Sequence, residues 1–422
     1  MRERIYKAIK NPLMSGSIFV FVGFLLGNFF NFLFNVYMSR NLSVTDYGTL
    51  ASLVSVILLF ALAAEALTPT IINFSGSYFA KKEIGKVTAL FWKLNTSFVV
   101  FSVIILVLFV IFGEQLGDFF KIDNTFLLFV VGVIVFFTSA MTLNRGILMG
   151  KLSFGYISFL NIFPSALKLL AGILLVVLGL GVTGSIVAFL IAYTSYYLLS
   201  FFPLRFIFQT KTREKVISIG KMFAYTAPSA IAMLGLTLFI TTDMLLVKHF
   251  YSSEDAGVYA GMSLLGKIIY FFSAPISTVL FPLVVQRHAR NEKYNHLFLM
   301  GMGLVAISSL VITIFYFIFP EFSILLLLKQ KEYLSQTSTI WVFGIFMTIY
   351  SLLWLTTNYY LSMKKTKVFI PIVGGAIFQA VALWYYHDTF LTVIIISIIA
   401  TVIPLCIMLL DYLRVYDTRN EK

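Results

Sequence analysis

The sequence predicts an all-α polytopic membrane protein of twelve transmembrane helices in two six-helix lobes, both termini cytoplasmic. Three observations carry this. The chain is 60% hydrophobic and 12% charged, whereas soluble domains carry charge on about a quarter of their residues. Apolar runs of the length a bilayer requires, about 20 residues, follow one another along the whole chain. A short loop motif also occurs twice, half a chain apart.

The runs fall at 14–38, 48–79, 88–112, 125–149, 153–178, 183–206, 220–247, 257–286, 295–319, 334–362, 368–386 and 390–413. The first is too long for a signal-peptide core and lacks a small-residue cleavage site, so it counts as a helix. Several exceed a bilayer span and require tilt or projection. Residues 1–13 form a basic, amphipathic cytoplasmic leading segment. The basic connection 207–219 divides an N-terminal lobe, 14–206, from a C-terminal lobe, 220–413. Residues 414–422 are a cytoplasmic tail.

Charge placement tests this count. With the N-terminus inside, the seven inner segments hold 24 of the 31 Lys and Arg residues. The outer loops hold five: Arg40, Lys121, Lys248, Lys329 and Lys331. Such alternation is the positive-inside pattern of twelve helices. The net charge of +13 is therefore mainly topological. It sets the inner face against anionic membrane lipids, and it is too dispersed for nucleic-acid binding.

In the repeated loop, Ser43, Asp46 and Gly48 match Ser252, Asp255 and Gly257 at one offset of 209 residues. Lys81 and Glu83 match Arg290 and Glu292 at the same offset. A repeat of half the chain length marks transporters built from two similar halves.

Several classes are excluded. A single cysteine, Cys406, forms no intrachain disulfide. The four histidines lack metal-ligand spacing, so no metal site is expected. No glycine-rich phosphate loop marks a nucleotide motor. The longest outer loop, about residues 320–333, is too short for the active site of a membrane polymerase. The histidines lie in or beside loops, which disfavours an acyltransferase. The expectation is a non-enzyme with no catalytic residues and no cofactor, apart from coupling to an H+ or Na+ gradient.

Glu65, Lys168, Asp243 and Lys267 lie within apolar runs, and Arg145 lies near the inner end of the fourth. Each charge costs about 2.5–3.5 kcal/mol at a bilayer centre, so each must face protein or water. Helical spacing places Asn161, Ser165, Lys168 and Gly172 on one face of the fifth helix. Thr138, Thr142 and Arg145 line the fourth, Asn28, Asn31 and Asn35 the first, and Ser263, Lys267, Tyr270, Ala274 and Ser277 the eighth. These stripes fit a hydrated central cavity, although small and amide residues equally serve helix packing.

Lys168 is deep and has no acidic residue nearby in sequence, which suits an anionic ligand. Cationic groups of this kind suit a phosphate or diphosphate. The candidate substrate-binding set is Lys168, Arg145, Lys267, Asn28, Asn31 and Asn161. Asp243 either pairs with Lys267 or joins Glu65 as an ion-coupling group. Glu65 is either a protonated packing residue or a coupling site. Tyr225, Tyr270 and Tyr350 could stack on sugar rings.

The loop ending Asp46-Tyr47-Gly48 and the stretch Asp243-Met244-Leu245-Leu246-Val247-Lys248, running to Ala256-Gly257-Val258-Tyr259 and Gly266-Lys267, resemble polysaccharide flippases of the Wzx type. These belong to the multidrug/oligosaccharidyl-lipid/polysaccharide exporter superfamily. Asp243, Gly257, Tyr259 and Lys267 match the family pattern, whereas Arg145 and Lys168 are assigned from depth and facing. The resemblance implies a V-shaped pair of six-helix bundles in the cytoplasmic cell membrane, alternating between inward- and outward-facing states. It implies movement of an undecaprenyl-diphosphate-linked oligosaccharide, or a related lipid carrier, to the outer leaflet. It also implies a monomer that works beside a polysaccharide polymerase and export machinery, as in lipopolysaccharide-type pathways. Two relatives are the alternatives. Lipid II flippases usually carry two more helices, and multidrug/cation antiporters more often favour acidic cavities.

Overall fold

Leu, Ile, Val and Phe run through this chain with few charges to interrupt them. In a lipid setting such a backbone satisfies its own N–H and C=O groups by coiling into helices. The computed structural model describes residues 12–65, 67–122, 124–210, 219–289, 295–363 and 365–420, and among them there is no strand. The helices are α1 (Pro12–Asn41), α2 (Val44–Glu65), α3 (Thr68–Ala80), α4 (Ile84–Ile111), α5 (Gly113–Phe120) and α6 (Phe126–Gly150). They continue as α7 (Phe154–Val177), α8 (Gly181–Ser200), α9 (Phe206–Gln209), α10 (Ile219–Phe239), α11 (Thr242–Phe250) and α12 (Ser253–Ala289). The last are α13 (Asn295–Ile318), α14 (Pro320–Leu327), α15 (Ile340–Ser362), α16 (Phe369–Tyr385) and α17 (Phe390–Asn420). Among the described residues eleven helices are long and apolar enough to cross a membrane, and α10 with α11 makes a twelfth when their 41° bend is one broken span.

Two runs that the sequence presents as continuous are broken. The run 48–79 divides between α2 and α3, where the Leu67 N–H turns back onto the Ala64 carbonyl and Pro69 opens the next helix. Proline fits a first turn because its missing N–H would have no partner there. The run 220–247 divides at Ile240-Thr241, where the Ile240 and Thr241 N–H groups bond three residues back, to Thr237 and Leu238. Gln379 Nε2 reaches across from α16 and donates to the freed Phe239 carbonyl at 3.0 Å.

The helices group into two compact units: Met1–Asn41 with Phe60–Ala227, and Leu42–Leu59 with Pro228–Lys422. In unit 1, α1 lies along α7, α7 along α8, and α6 packs against α3, α4 and α8. Gly23 and Gly27, one helical turn apart, let α1 approach α7 at backbone distance. A Cβ added at Gly23 would lie 2.6 Å from Ser158 Cα, and one at Gly27 would lie 2.7 Å from the Asn161 carbonyl oxygen. This is small-residue packing of the kind membrane helices use. In unit 2, α15 is central, flanked by α12, α13 and α17, with α16 on α17. Outward, Val103, Ile104 and Val107 of α4 and Ile307, Val311 and Ile314 of α13 are exposed. An apolar exterior of this extent calls for a lipid surround.

The repeated motif has one local structure in both copies. Ser43 precedes α2 and its Oγ accepts the Asp46 N–H at 3.1 Å. Ser252 precedes α12 and its Oγ accepts the Asp255 N–H at 3.0 Å. Both serines are helix N-caps, and both aspartates sit in the first turn, where the helix dipole favours negative charge. Of the second pair of matches, Lys81 ends α3 and Glu83 precedes α4. Arg290 and Glu292 lie outside the described residues.

Candidate functional site

The site in unit 1 is strung along one face of α8, where Phe189, Tyr193 and Tyr196 follow at four and three residues. Lys168 of α7 is 6% exposed. Its Nζ stands 4.1 Å from the centre of the Phe189 ring and 4.7 Å from that of Phe34. The two rings meet edge to face with centroids 5.2 Å apart. Gly172, one turn beyond Lys168, makes room for this arrangement, because a Cβ there would fall 2.6 Å from Phe34 Cε2. Among the described residues Lys168 has no carboxylate partner and makes no hydrogen bond. The ring faces attract the ammonium through their quadrupoles without neutralising it.

Further along α8, Tyr193 and Tyr196 lie within electrostatic reach of Glu65, at the end of α2. Glu65 Oε1 lies 3.6 Å from Arg145 Nη1, with the two side chains 44% and 31% exposed. At that separation and exposure the pair is loose. Arg145 Nε and Tyr196 Oη are buried without hydrogen-bond partners, whereas the neighbouring Asn144 donates to Ser200 Oγ at 2.7 Å. Arg145 is thus no isolated cation.

The polar stripes divide by role. Thr138 and Thr142 donate to carbonyls of their own helix at 2.9 and 2.8 Å. In α1, Asn35 does the same, donating to the Asn31 carbonyl at 2.8 Å. Asn28 and Asn31 are half-buried on α1. In α7 the Asn161 carbonyl accepts from Ser165 at 2.8 Å, and Asn161 Nδ2 is buried with no acceptor.

Asp243 and Lys267 lie in unit 2. Asp243 is buried at the start of α11. Its Oδ2 accepts the Tyr259 hydroxyl at 2.7 Å, while Oδ1 has no hydrogen-bond partner. Lys267 of α12 is half-buried and feels the charge of Asp243. The two make no contact ion pair, although each feels the charge of the other. The break after Phe239 starts α11 just before Asp243.

Lys248, read from sequence as an outer-loop charge, is corrected. It is fully buried. Its Nζ donates to Thr49 Oγ1 at 3.1 Å and to Ser253 Oγ at 3.4 Å. The helix runs on to Phe250, and this takes Lys248 out of the loop. Tyr193 and Tyr196 were missed too, although their spacing from Phe189 is readable. Tyr225 lies outside the side chains described. Among the described residues no three His, Cys, Asp or Glu side chains could hold a metal ion.

Comparison with known proteins gives three results. Residues 37–337 match the family described as "Polysaccharide biosynthesis protein". An uncharacterized membrane protein of Methanocaldococcus jannaschii is 24% identical over 254 residues, covering 56% of this chain and 59% of its own length. This chain therefore spans about three-fifths of that curated relative. Among solved structures, an inward-facing multidrug resistance MATE family transporter of the MOP superfamily superposes with a TM-score of 0.72 at 13% identity, covering 95% of this chain and 99% of that one. The lipid II flippase MurJ, in an inward closed conformation, gives 0.72 at 14% identity, covering 94% and 87%. At these identities the likeness is one of fold.

Proposed function

Because the chain belongs to the polysaccharide biosynthesis protein family, we propose that it is a flippase. In this reading it moves a polyprenyl-diphosphate-linked oligosaccharide from the inner to the outer leaflet of the cytoplasmic membrane by alternating access. The observation that most supports this reading is Lys168, a buried cation held by two ring faces and facing no carboxylate. A lone cation in a membrane helix is costly unless an anion meets it, and a diphosphate is such an anion. Asn161 Nδ2, a buried donor without an acceptor on the same helix, fits the same ligand.

Arg145 joins the diphosphate by leaving Glu65, from which 3.6 Å already separates it. Glu65, once released, takes up H+ or Na+ and couples transport to an ion gradient. Alternation requires that the ligand bind the two states with different affinity. The protein works as a monomer, against anionic lipid and beside the polymerase and export machinery.

The test is reconstitution in liposomes holding a fluorescent polyprenyl-diphosphate oligosaccharide, with an impermeant quencher to separate the leaflets and a cationic dye run in parallel. The expected result is movement of the lipid-linked sugar, lost in Lys168→Met at unchanged protein abundance. Movement of the dye alone would assign the protein to multidrug export. Full sugar transport by Lys168→Met would remove Lys168 from the site.

A further inference from the structure

Unit 2 carries an aromatic cluster beside a lysine that the diphosphate reading does not use. Lys267 and Tyr270 are three residues apart on α12, so they share a face. Tyr350 and Trp354 are four apart on α15, the helix packed against it. The Tyr270 ring lies 5.5 Å from Trp354 at 85° and 5.5 Å from Tyr350 at 58°, and Tyr350 lies 6.3 Å from Trp354.

Burial differs across the cluster. Tyr350 is 0% exposed. Tyr270, Trp354 and Lys267 are half-buried. The cluster also holds donors with nothing to donate to. The Tyr350 hydroxyl is buried without a partner. Among the described residues, the Trp354 indole N–H and the Lys267 ammonium make no hydrogen bond. A buried polar group left unpaired costs about 1–3 kcal/mol, and the usual relief is a packing partner, water or a ligand. Aromatic faces rimmed by unpaired donors are a poor surface for lipid, which offers no acceptors.

We propose that Tyr270, Trp354 and Lys267, backed by Tyr350, form a saccharide subsite. A pyranose ring has one face of C–H bonds and an edge of hydroxyl oxygens. The electron-rich faces of Tyr270 and Trp354 take the C–H face, and Lys267 and the indole N–H donate to the edge oxygens. Because most pyranoses present a C–H face, the subsite selects for a glycosyl group more than for one particular sugar. This rests on the flippase reading and adds to it a reason why the glycosylated carrier binds better than the bare one.

The experiment uses the full chain in nanodiscs with Trp92→Phe, Trp341→Phe and Trp384→Phe, leaving Trp354 as the fluorescent reporter. The probes are polyprenyl diphosphate and polyprenyl-diphosphate-N-acetylglucosamine. The expected result is that the glycosylated probe binds about tenfold more tightly and alone shifts Trp354 emission. In the otherwise native chain, Trp354→Leu, and separately Tyr270→Leu, should abolish the tenfold preference while leaving affinity for polyprenyl diphosphate unchanged. Trp354→Tyr, which keeps a stacking face, should retain most of it. Equal affinity of the two probes would overturn the subsite and leave the flippase reading standing. An equal loss for both probes in Trp354→Leu and Tyr270→Leu would show a packing role only and would also overturn it. Binding of neither probe would defeat the flippase reading itself, and the subsite with it.

Discussion

Gly48 and Gly257, the two glycines of the repeated motif, lie face to face inside unit 2. A Cβ built on Gly48 would fall 2.7 Å from the Gly257 nitrogen and 2.8 Å from its Cα. A Cβ on Gly257 would enter the Val44 carbonyl. The opening turns of α2 and α12 therefore meet backbone to backbone, and the repeat is a contact as well as a symmetry. Gly48→Ala should destabilise the protein by about 1–3 kcal/mol, the range for overpacking. Gly303→Ala, at a helical site with nothing within 4 Å of the new Cβ, should be neutral or stabilise by up to about 1 kcal/mol through helix propensity. Thermal unfolding in detergent compares the two, and a Gly48→Ala variant as stable as wild type would remove the contact.

Ser43 and Ser252 cap their helices through matching bonds of 3.1 and 3.0 Å. Ser43→Ala and Ser252→Ala should each cost about 1 kcal/mol. Because the turns they cap touch at Gly48 and Gly257, the double variant should depart from the sum of the two by about 0.5 kcal/mol or more. Chemical denaturation measures this, and a cost at only one of the two sites would break the equivalence of the copies.

The Tyr259 hydroxyl donates to the Asp243 carboxylate in unit 2. Tyr259→Phe should destabilise by about 1.5–3 kcal/mol, the range for a hydrogen bond to a charged group. In Asp243→Asn the same phenylalanine change should cost less. A double-mutant cycle on thermal stability would show the coupling, and strict additivity would argue that the 2.7 Å contact carries no energy.

Glu65 and Arg145 are too loosely paired to hold the fold together. Glu65→Gln should alter stability by less than about 1 kcal/mol while leaving binding of the lipid-linked sugar intact. Transport driven by an imposed proton or sodium gradient should become independent of that gradient. If the gradient still drives Glu65→Gln at the wild-type rate, coupling lies elsewhere.

The helical class and the span count were legible in sequence because lipid imposes one solution on an apolar backbone. A run of sufficient length is helical whatever its neighbours do, although neighbours decide where the helix breaks. Lys168 was legible for a related reason: a cation deep in such a run has few places to go. The breaks at Leu67 and Ile240-Thr241 were not legible. Pro69 signals a helix start as readily as a kink, and the second break depends on Gln379 coming from 138 residues beyond Thr241 to take the Phe239 carbonyl.

The sequence by itself determined the number of apolar spans, the two copies of the capped loop and the identity of the charges within the apolar runs. Composition, periodicity and spacing are properties of the chain alone. Tertiary structure decided what each charge meets. It set Lys168 between Phe34 and Phe189, Glu65 against Arg145 and Asp243 under Tyr259, and it buried Lys248 between Thr49 and Ser253. These partners come from different helices. A charge in low dielectric is governed by whatever lies within a few ångströms, and that neighbourhood exists only once the helices have packed.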